Sequence, residues 1–166
     1  KGLGHAILCA ENFVGSDSFA VLLGDTICTG NPNCTKGLVD LFAEKRANVF
    51  SVEEIKLEET ERYGIISGRR VNENLMLVED LVEKPKPENA PSLLGIQGRY
   101  VFSSDIFNHL KKTSSGAGGE IQLTDAMRSL SKVQQMYSWT FRGKRYDIGT
   151  MRDWFQSHLE LSFQSD

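Results

Sequence analysis

The sequence predicts an α/β fold: a mixed, mostly parallel sheet flanked by helices. Three observations carry that expectation. Short apolar runs rich in Val, Ile and Phe alternate with segments of helical period, Gly and Pro punctuate them, and no internal repeat or low-complexity tract interrupts the 166 residues. Hydrophobic residues make up 40% and charged residues 25% of the chain, the composition of a globular protein. The length suits one domain over residues 1–166.

Taken in order, residues 4–12 read as a short helix and 19–23 (FAVLL) as a strand closed by Gly24-Asp25. Residues 26–35 (TICTGNPNCT) read as loop. Over 36–46, Leu38, Val39, Leu41 and Phe42 fall on one helical face, and the segment ends on Lys45-Arg46, cations that suit a helix C-terminus. Residues 47–52 read as a strand, 53–62 as a charged helix or loop, and 63–67 and 75–83 as strands. Residues 84–92 (KPKPENAPS) hold three of the four prolines and form an exposed connection. A strand over 94–102 leads into a helix over 103–112, with Ser103 or Ser104 as N-cap. After the Gly/Ser loop 113–119 come a helix over 122–130, a strand over 136–141, a turn at Gly143-Lys144 and a strand end at 146–149. The last segment, 151–163, is an amphipathic helix with Trp154, Phe155, His158 and Leu161 near one stripe, and that stripe points to self-association as a homo-oligomer. The chain opens Lys1-Gly2-Leu3-Gly4 straight into helix, without a leading strand, which for an α/β protein points to material upstream.

The net charge is −3 with the signs interspersed, so no basic stripe marks a nucleic-acid polymer as partner. The apolar runs reach only about five residues, far short of a membrane span. Cys9, Cys28 and Cys34 form no C-x-x-C pair and read as reduced thiols of a cytoplasmic protein. His5, His109 and His158 are scattered and read as packing or surface residues.

Ligands of open α/β sheets bind at the carboxyl ends of the strands. Asp25 follows the run 19–23 and either holds a divalent metal or caps a turn beside Gly24. Asp147, in Lys144-Arg145-Tyr146-Asp147-Ile148-Gly149, is open to the same two readings, and the two carboxylates could share one ion. Glu83-Lys84-Pro85 ends a strand: a carboxylate for sugar hydroxyls beside a point charge for phosphate, or a solvated pair before a loop. Successive strand residues face opposite ways, so both reach one ligand only if the strand stops there. The string from Gly116 to Glu120 matches neither common phosphate-binding glycine pattern. No Ser/His/Asp arrangement is legible.

In order, Gly2-Leu3-Gly4-His5-Ala6, Leu23-Gly24-Asp25, Tyr63-Gly64-Ile65, Val82-Glu83-Lys84-Pro85, Ala90-Pro91-Ser92, Gly98-Arg99-Tyr100-Val101, the run from Gly116 to Ala126 (GAGGEIQLTDA) and the run from Gly143 to Gly149 (GKRYDIG) resemble the bacterial-type UTP–glucose-1-phosphate uridylyltransferases. The resemblance spans essentially the whole chain and corresponds to the C-terminal two-thirds of that family. It implies a Rossmann-like nucleotide-diphospho-sugar transferase fold, without the family's N-terminal strand and its triphosphate-gripping glycine-rich loop. It also implies Mg²⁺ and the small-molecule substrates UTP, glucose 1-phosphate, UDP-glucose and pyrophosphate. By the same resemblance Asp25 and Asp147 would hold the magnesium, Glu83 would bind glucose hydroxyls and Lys84 the sugar phosphate. Gly2 would let uracil pack on backbone, and Gly64, Gly98, Tyr100 and Glu120 would line the sugar pocket. Asp25, Lys84 and Asp147 are thus the expected catalytic set. Leu93 stands where the family's usual pattern has Asn. Because the family's loop is absent, a non-catalytic piece of the same fold, binding a sugar nucleotide or a partner chain, is the alternative expectation.

Overall fold

A computed structural model describes residues 1–163. It contains six α-helices and eight strands among those residues: α1 Gly2–Leu8, α2 Glu11–Val14, β1 Phe19–Leu22, β2 Thr26–Thr29, α3 Cys34–Lys45, β3 Asn48–Glu54, β4 Gly64–Arg70, β5 Leu75–Glu83, β6 Leu94–Phe102, α4 Asp105–Leu110, α5 Leu123–Ser131, β7 Met136–Thr140, β8 Lys144–Asp147 and α6 Met151–Ser162.

Six strands form one sheet in the order β1-β6-β3-β7-β5-β4. Both of its faces are covered. On one side Phe50, Val52, Tyr100 and Phe102 meet Ile7 of α1, Ile106, Phe107 and Leu110 of α4, and Leu123, Met127 and Leu130 of α5. On the other, Val49 and Val101 meet Cys34 and Leu38 of α3. Adjacent strand residues thus serve opposite layers, so β3 is buried continuously from Asn48 to Val52 rather than alternately. α3 starts earlier than expected because the Asn33 side chain accepts from the Thr35 and Lys36 backbone N–H groups at 2.9 and 3.3 Å, capping the helix at Cys34.

The expectation of a mostly parallel sheet is corrected. Only β3–β7 is parallel, and the remaining pairings in the sheet are antiparallel. Parallel neighbours need a long crossover, usually a helix. β4 and β5 are instead joined by a tight turn, where the Val71 N–H donates to Leu75 O at 2.8 Å and the Asn72 side chain accepts from Asn74 N–H at 2.9 Å. β5 reaches β6 through the proline-rich connection, whose only helical turn is Pro87–Asn89.

The loop reading of 26–35 is also corrected at its start. Residues 26–29 form β2, which pairs antiparallel with β8 in a separate two-stranded ribbon, Thr26 opposite Asp147 and Cys28 opposite Arg145. No helix among the described residues is long and apolar enough to cross a membrane.

Candidate functional site

A cavity of about 300 Å³ opens where the end of β5, the middle of β6, the start of α5 and the β2–β8 ribbon converge. It is lined by eight of the nine residues singled out from the sequence: Asp25, Gly64, Glu83, Lys84, Gly98, Tyr100, Glu120 and Asp147. Gly2 is the exception. A Cβ there would lie 2.8 Å from both Glu120 Cβ and Ile121 O, so glycine at this position serves the packing of α1 against that segment.

Asp25 and Asp147 come together because β2 leaves the Asp25 turn and pairs with β8, which ends on Asp147. The Ile148 N–H donates to Asp25 O at 2.8 Å and ties the two segments. A Cβ at Gly149 would stand 3.2 Å from Asp147 Oδ1 and 3.8 Å from Asp25 Oδ2, so both carboxylates flank one small space. No group of three or more His, Cys, Asp or Glu side chains suited to a metal occurs among the described residues. Two carboxylates fit a hard divalent cation completed by ligand phosphate and water, rather than one caged by protein alone.

Asp147 is held by several donors. Its Oδ2 accepts from Tyr63 OH at 3.2 Å, Arg145 Nη1 at 3.3 Å and Arg62 Nη2 at 3.4 Å, while Oδ1 accepts from the Gly149 N–H at 3.0 Å. Burial alone would raise this carboxyl, but the Gly149 N–H and the Arg145 guanidinium outweigh it and hold Asp147 below the usual carboxylate range. Arg145 is itself nearly buried, at 11% exposure, and its Nε is bound to Glu53. Burial raises the Tyr63 phenol and outweighs the Arg145 hydrogen bond and the Arg145 and Arg62 charges, which act to lower it.

Glu83 and Lys84 both line the cavity, for a backbone reason. β5 stops at Glu83, and Lys84 adopts φ 47°, the left-handed region, with its N–H donating to Tyr63 O at 3.0 Å. That turn ends the alternation of strand faces. Glu83 Oε2 accepts from Thr124 Oγ1 at 2.6 Å, and Oε1 lies 3.8 Å from Lys84 Nζ. Gly64 faces the same corner: a Cβ there would meet Thr124 Oγ1 at 2.8 Å and Glu83 Oε2 at 3.2 Å. Gly98, at φ 77°, lies against Leu23 of the Asp25 turn. Tyr100 is buried and stacks on Phe102 at 5.4 Å; burial, with Glu83 and Asp25 nearby, pushes its phenol well up.

Sequence reasoning passed over Arg62, Arg145, Gln97 and Thr124, which also line the cavity. The one available signal was the period of β8, which sets Arg145 on the same face as Asp147 two residues on. Arg62 and Arg145 with Lys84 give the lining three cations against the carboxylates of Asp25, Glu83, Glu120 and Asp147.

Fold and cavity define a three-layer α/β protein with one pocket lined by both carboxylates and cations. The family model for nucleotidyl transferases matches residues 1–163, and the chain belongs to that family. It is similar to the UTP–glucose-1-phosphate uridylyltransferase of Bacillus subtilis, 43% identical over 99% of this chain and 56% of the relative. It is also similar to UTP–glucose-1-phosphate uridylyltransferase 2 of Staphylococcus saprophyticus, 42% identical over 100% of this chain and 57% of the relative. The chain thus spans a little over half the length of these curated relatives. Among solved structures, a UDP-glucose pyrophosphorylase complexed with UDP-glucose superposes with a TM-score of 0.96 at 38% identity, covering 99% of this chain and 63% of that one. A UTP-bound enzyme of the same name from Acinetobacter baumannii gives 0.87 at 30% identity, covering 98% and 57%.

Proposed function

We propose that the protein transfers a uridylyl group from UTP to glucose 1-phosphate, giving UDP-glucose and pyrophosphate, in the cytoplasm and with Mg²⁺. The observation that carries this reading is the convergence of the Asp25–Asp147 pair and the Glu83–Lys84 pair on one cavity. The names of its relatives supply the base and the sugar.

In the proposed reaction a phosphate oxygen of glucose 1-phosphate attacks the α-phosphorus of UTP in line. The new O–P bond forms as the bond to the pyrophosphate bridging oxygen breaks, and no covalent enzyme intermediate is needed. Positioning and charge cancellation then carry catalysis. Glu83 would accept from glucose hydroxyls through the oxygen not engaged by Thr124. Lys84, about half exposed, would neutralise the attacking phosphate. Arg62 and Arg145 would add positive potential beside Asp147. Gly64, Gly98, Tyr100 and Glu120 would shape the sugar pocket. Asp25 and Asp147 would hold the magnesium, which when bound cancels phosphate charge.

The test is pyrophosphorolysis of UDP-glucose with Mg²⁺ and pyrophosphate. The wild-type protein should turn over, and Lys84→Ala should lose about a hundredfold in kcat. Absence of turnover by the purified wild-type protein would sink the proposal.

Self-association belongs to the same reading. On α6, Met151, Phe155 and Leu159 recur every fourth residue, followed by Phe163, and all are exposed, at 80%, 57%, 44% and 81%. Phe155→Glu should shift sedimentation toward monomer.

A further inference from the structure

Arg99 was singled out in the sequence only as part of the Gly98-Arg99-Tyr100-Val101 string, and none of the roles above uses it. Its side chain is the least expected charge in the fold. The residue is 9% exposed, and it forms no salt bridge among the described residues. Burying a cation without a carboxylate is costly unless its hydrogen-bonding capacity is spent elsewhere.

That capacity is spent on backbone. Nη1 donates to Leu23 O at 2.9 Å and to Gly98 O at 3.2 Å, and Nη2 donates to Thr26 O. Leu23 and Thr26 bracket Gly24-Asp25, the turn between β1 and β2. The turn is closed further by Thr26 N–H donating to Leu23 O at 3.3 Å, and Leu23 N–H to Gly98 O at 3.0 Å. Gly98 is the residue that lets β6 approach: a Cβ there would come within 2.9 Å of the Leu23 side chain. Asp25 is exposed, and among the described residues its side chain accepts a single hydrogen bond, from Thr26 Oγ1 at 3.5 Å. Its position therefore depends on the backbone beneath it. A guanidinium suits this task because its planar fork reaches carbonyls on both sides of the turn, where an ammonium is a single point.

We infer that Arg99 is a positioning residue: it clamps the Leu23–Thr26 turn so that the Asp25 carboxylate stands beside that of Asp147, ready to share a divalent cation. The inference rests on the metal reading of the Asp25–Asp147 pair given above.

The experiment is a double-mutant cycle read by Mn²⁺ binding, followed by electron paramagnetic resonance in the presence of UDP-glucose. Arg99→Lys keeps the buried charge and much of the volume, and Arg99→Met removes the charge; circular dichroism and thermal melting check both folds. Asp25→Asn should weaken Mn²⁺. Arg99→Lys should weaken it about tenfold, as loss of an outer-shell partner does, with Arg99→Met at least as severe. Combined with Asp25→Asn, neither should cause further loss, because Arg99 acts through Asp25. Arg99 variants that bind Mn²⁺ like wild type, or whose effects add fully to Asp25→Asn, would overturn the inference alone. Unchanged Mn²⁺ affinity in Asp25→Asn, or no UDP-glucose binding by wild type, would overturn the site reading and this inference with it. Collapse of the fold in both Arg99 variants would also overturn it, since Arg99 would then be holding the sheet rather than one turn.

Discussion

At the scale of single residues, the Glu83 corner gives the sharpest expectations. Thr124 Oγ1 donates to Glu83 Oε2 at 2.6 Å. Thr124→Val keeps the shape and removes the donor, leaving a largely buried carboxylate short of a partner, at a cost of about 1–3 kcal/mol. Chemical denaturation should read that loss, and the KM for UDP-glucose should rise more than kcat falls. Gly98→Ala tests a backbone requirement. Its left-handed φ alone costs a side chain about 1–2 kcal/mol, and the contact with Leu23 adds to it. A Gly98→Ala protein as stable as wild type would contradict the tight approach of β6 to the Asp25 turn.

Among elements, α5 is tied to β5 by a fork. Arg128 Nε and Nη2 donate to Asp80 Oδ1 and Oδ2 at 2.6 and 2.9 Å, and Lys132 Nζ lies 3.7 Å from the same carboxylate. The bond to Arg128 holds Asp80 below the usual carboxylate range. A depressed folded value means stability that is present above the unfolded carboxylate range and lost as pH falls through the folded value. Because Arg128 is half exposed, the pair contributes at most about 1 kcal/mol. Arg128→Ala should therefore lower stability slightly at neutral pH and flatten its decline at acid pH. Melting curves at pH 7 and pH 3 check this, and an unchanged acid slope would count against the fork.

Over the whole molecule, the layers meet through a few large side chains. Phe50, Phe102 and Phe107 are essentially inaccessible, and Phe19 stacks on Phe107 at 5.1 Å. Phe102→Ala should cost about 3–5 kcal/mol, as large core truncations do. The cavity lies where this core gives way to the β2–β8 ribbon, so the same variant should weaken UDP-glucose binding through Tyr100, which stacks on Phe102.

The bounds of β5 and β6 were legible in the sequence because apolar runs between Gly and Pro signals are local properties of the chain. So was the chemistry on offer at the strand ends: carboxylates at 25, 83 and 147 and a lysine at 84. The resemblance to a known family ordered these pieces without locating them. Other features came only with the tertiary structure: the largely antiparallel sheet, the ribbon that brings residues 26–29 against 144–147, the donors gathered on Asp147 and the clamp from Arg99. Each includes hydrogen bonds or ion pairs between residues far apart in the chain, as from Tyr63 and Arg62 to Asp147. Such pairs exist only once long loops have closed and the layers have packed, and no local propensity records that cost or its return.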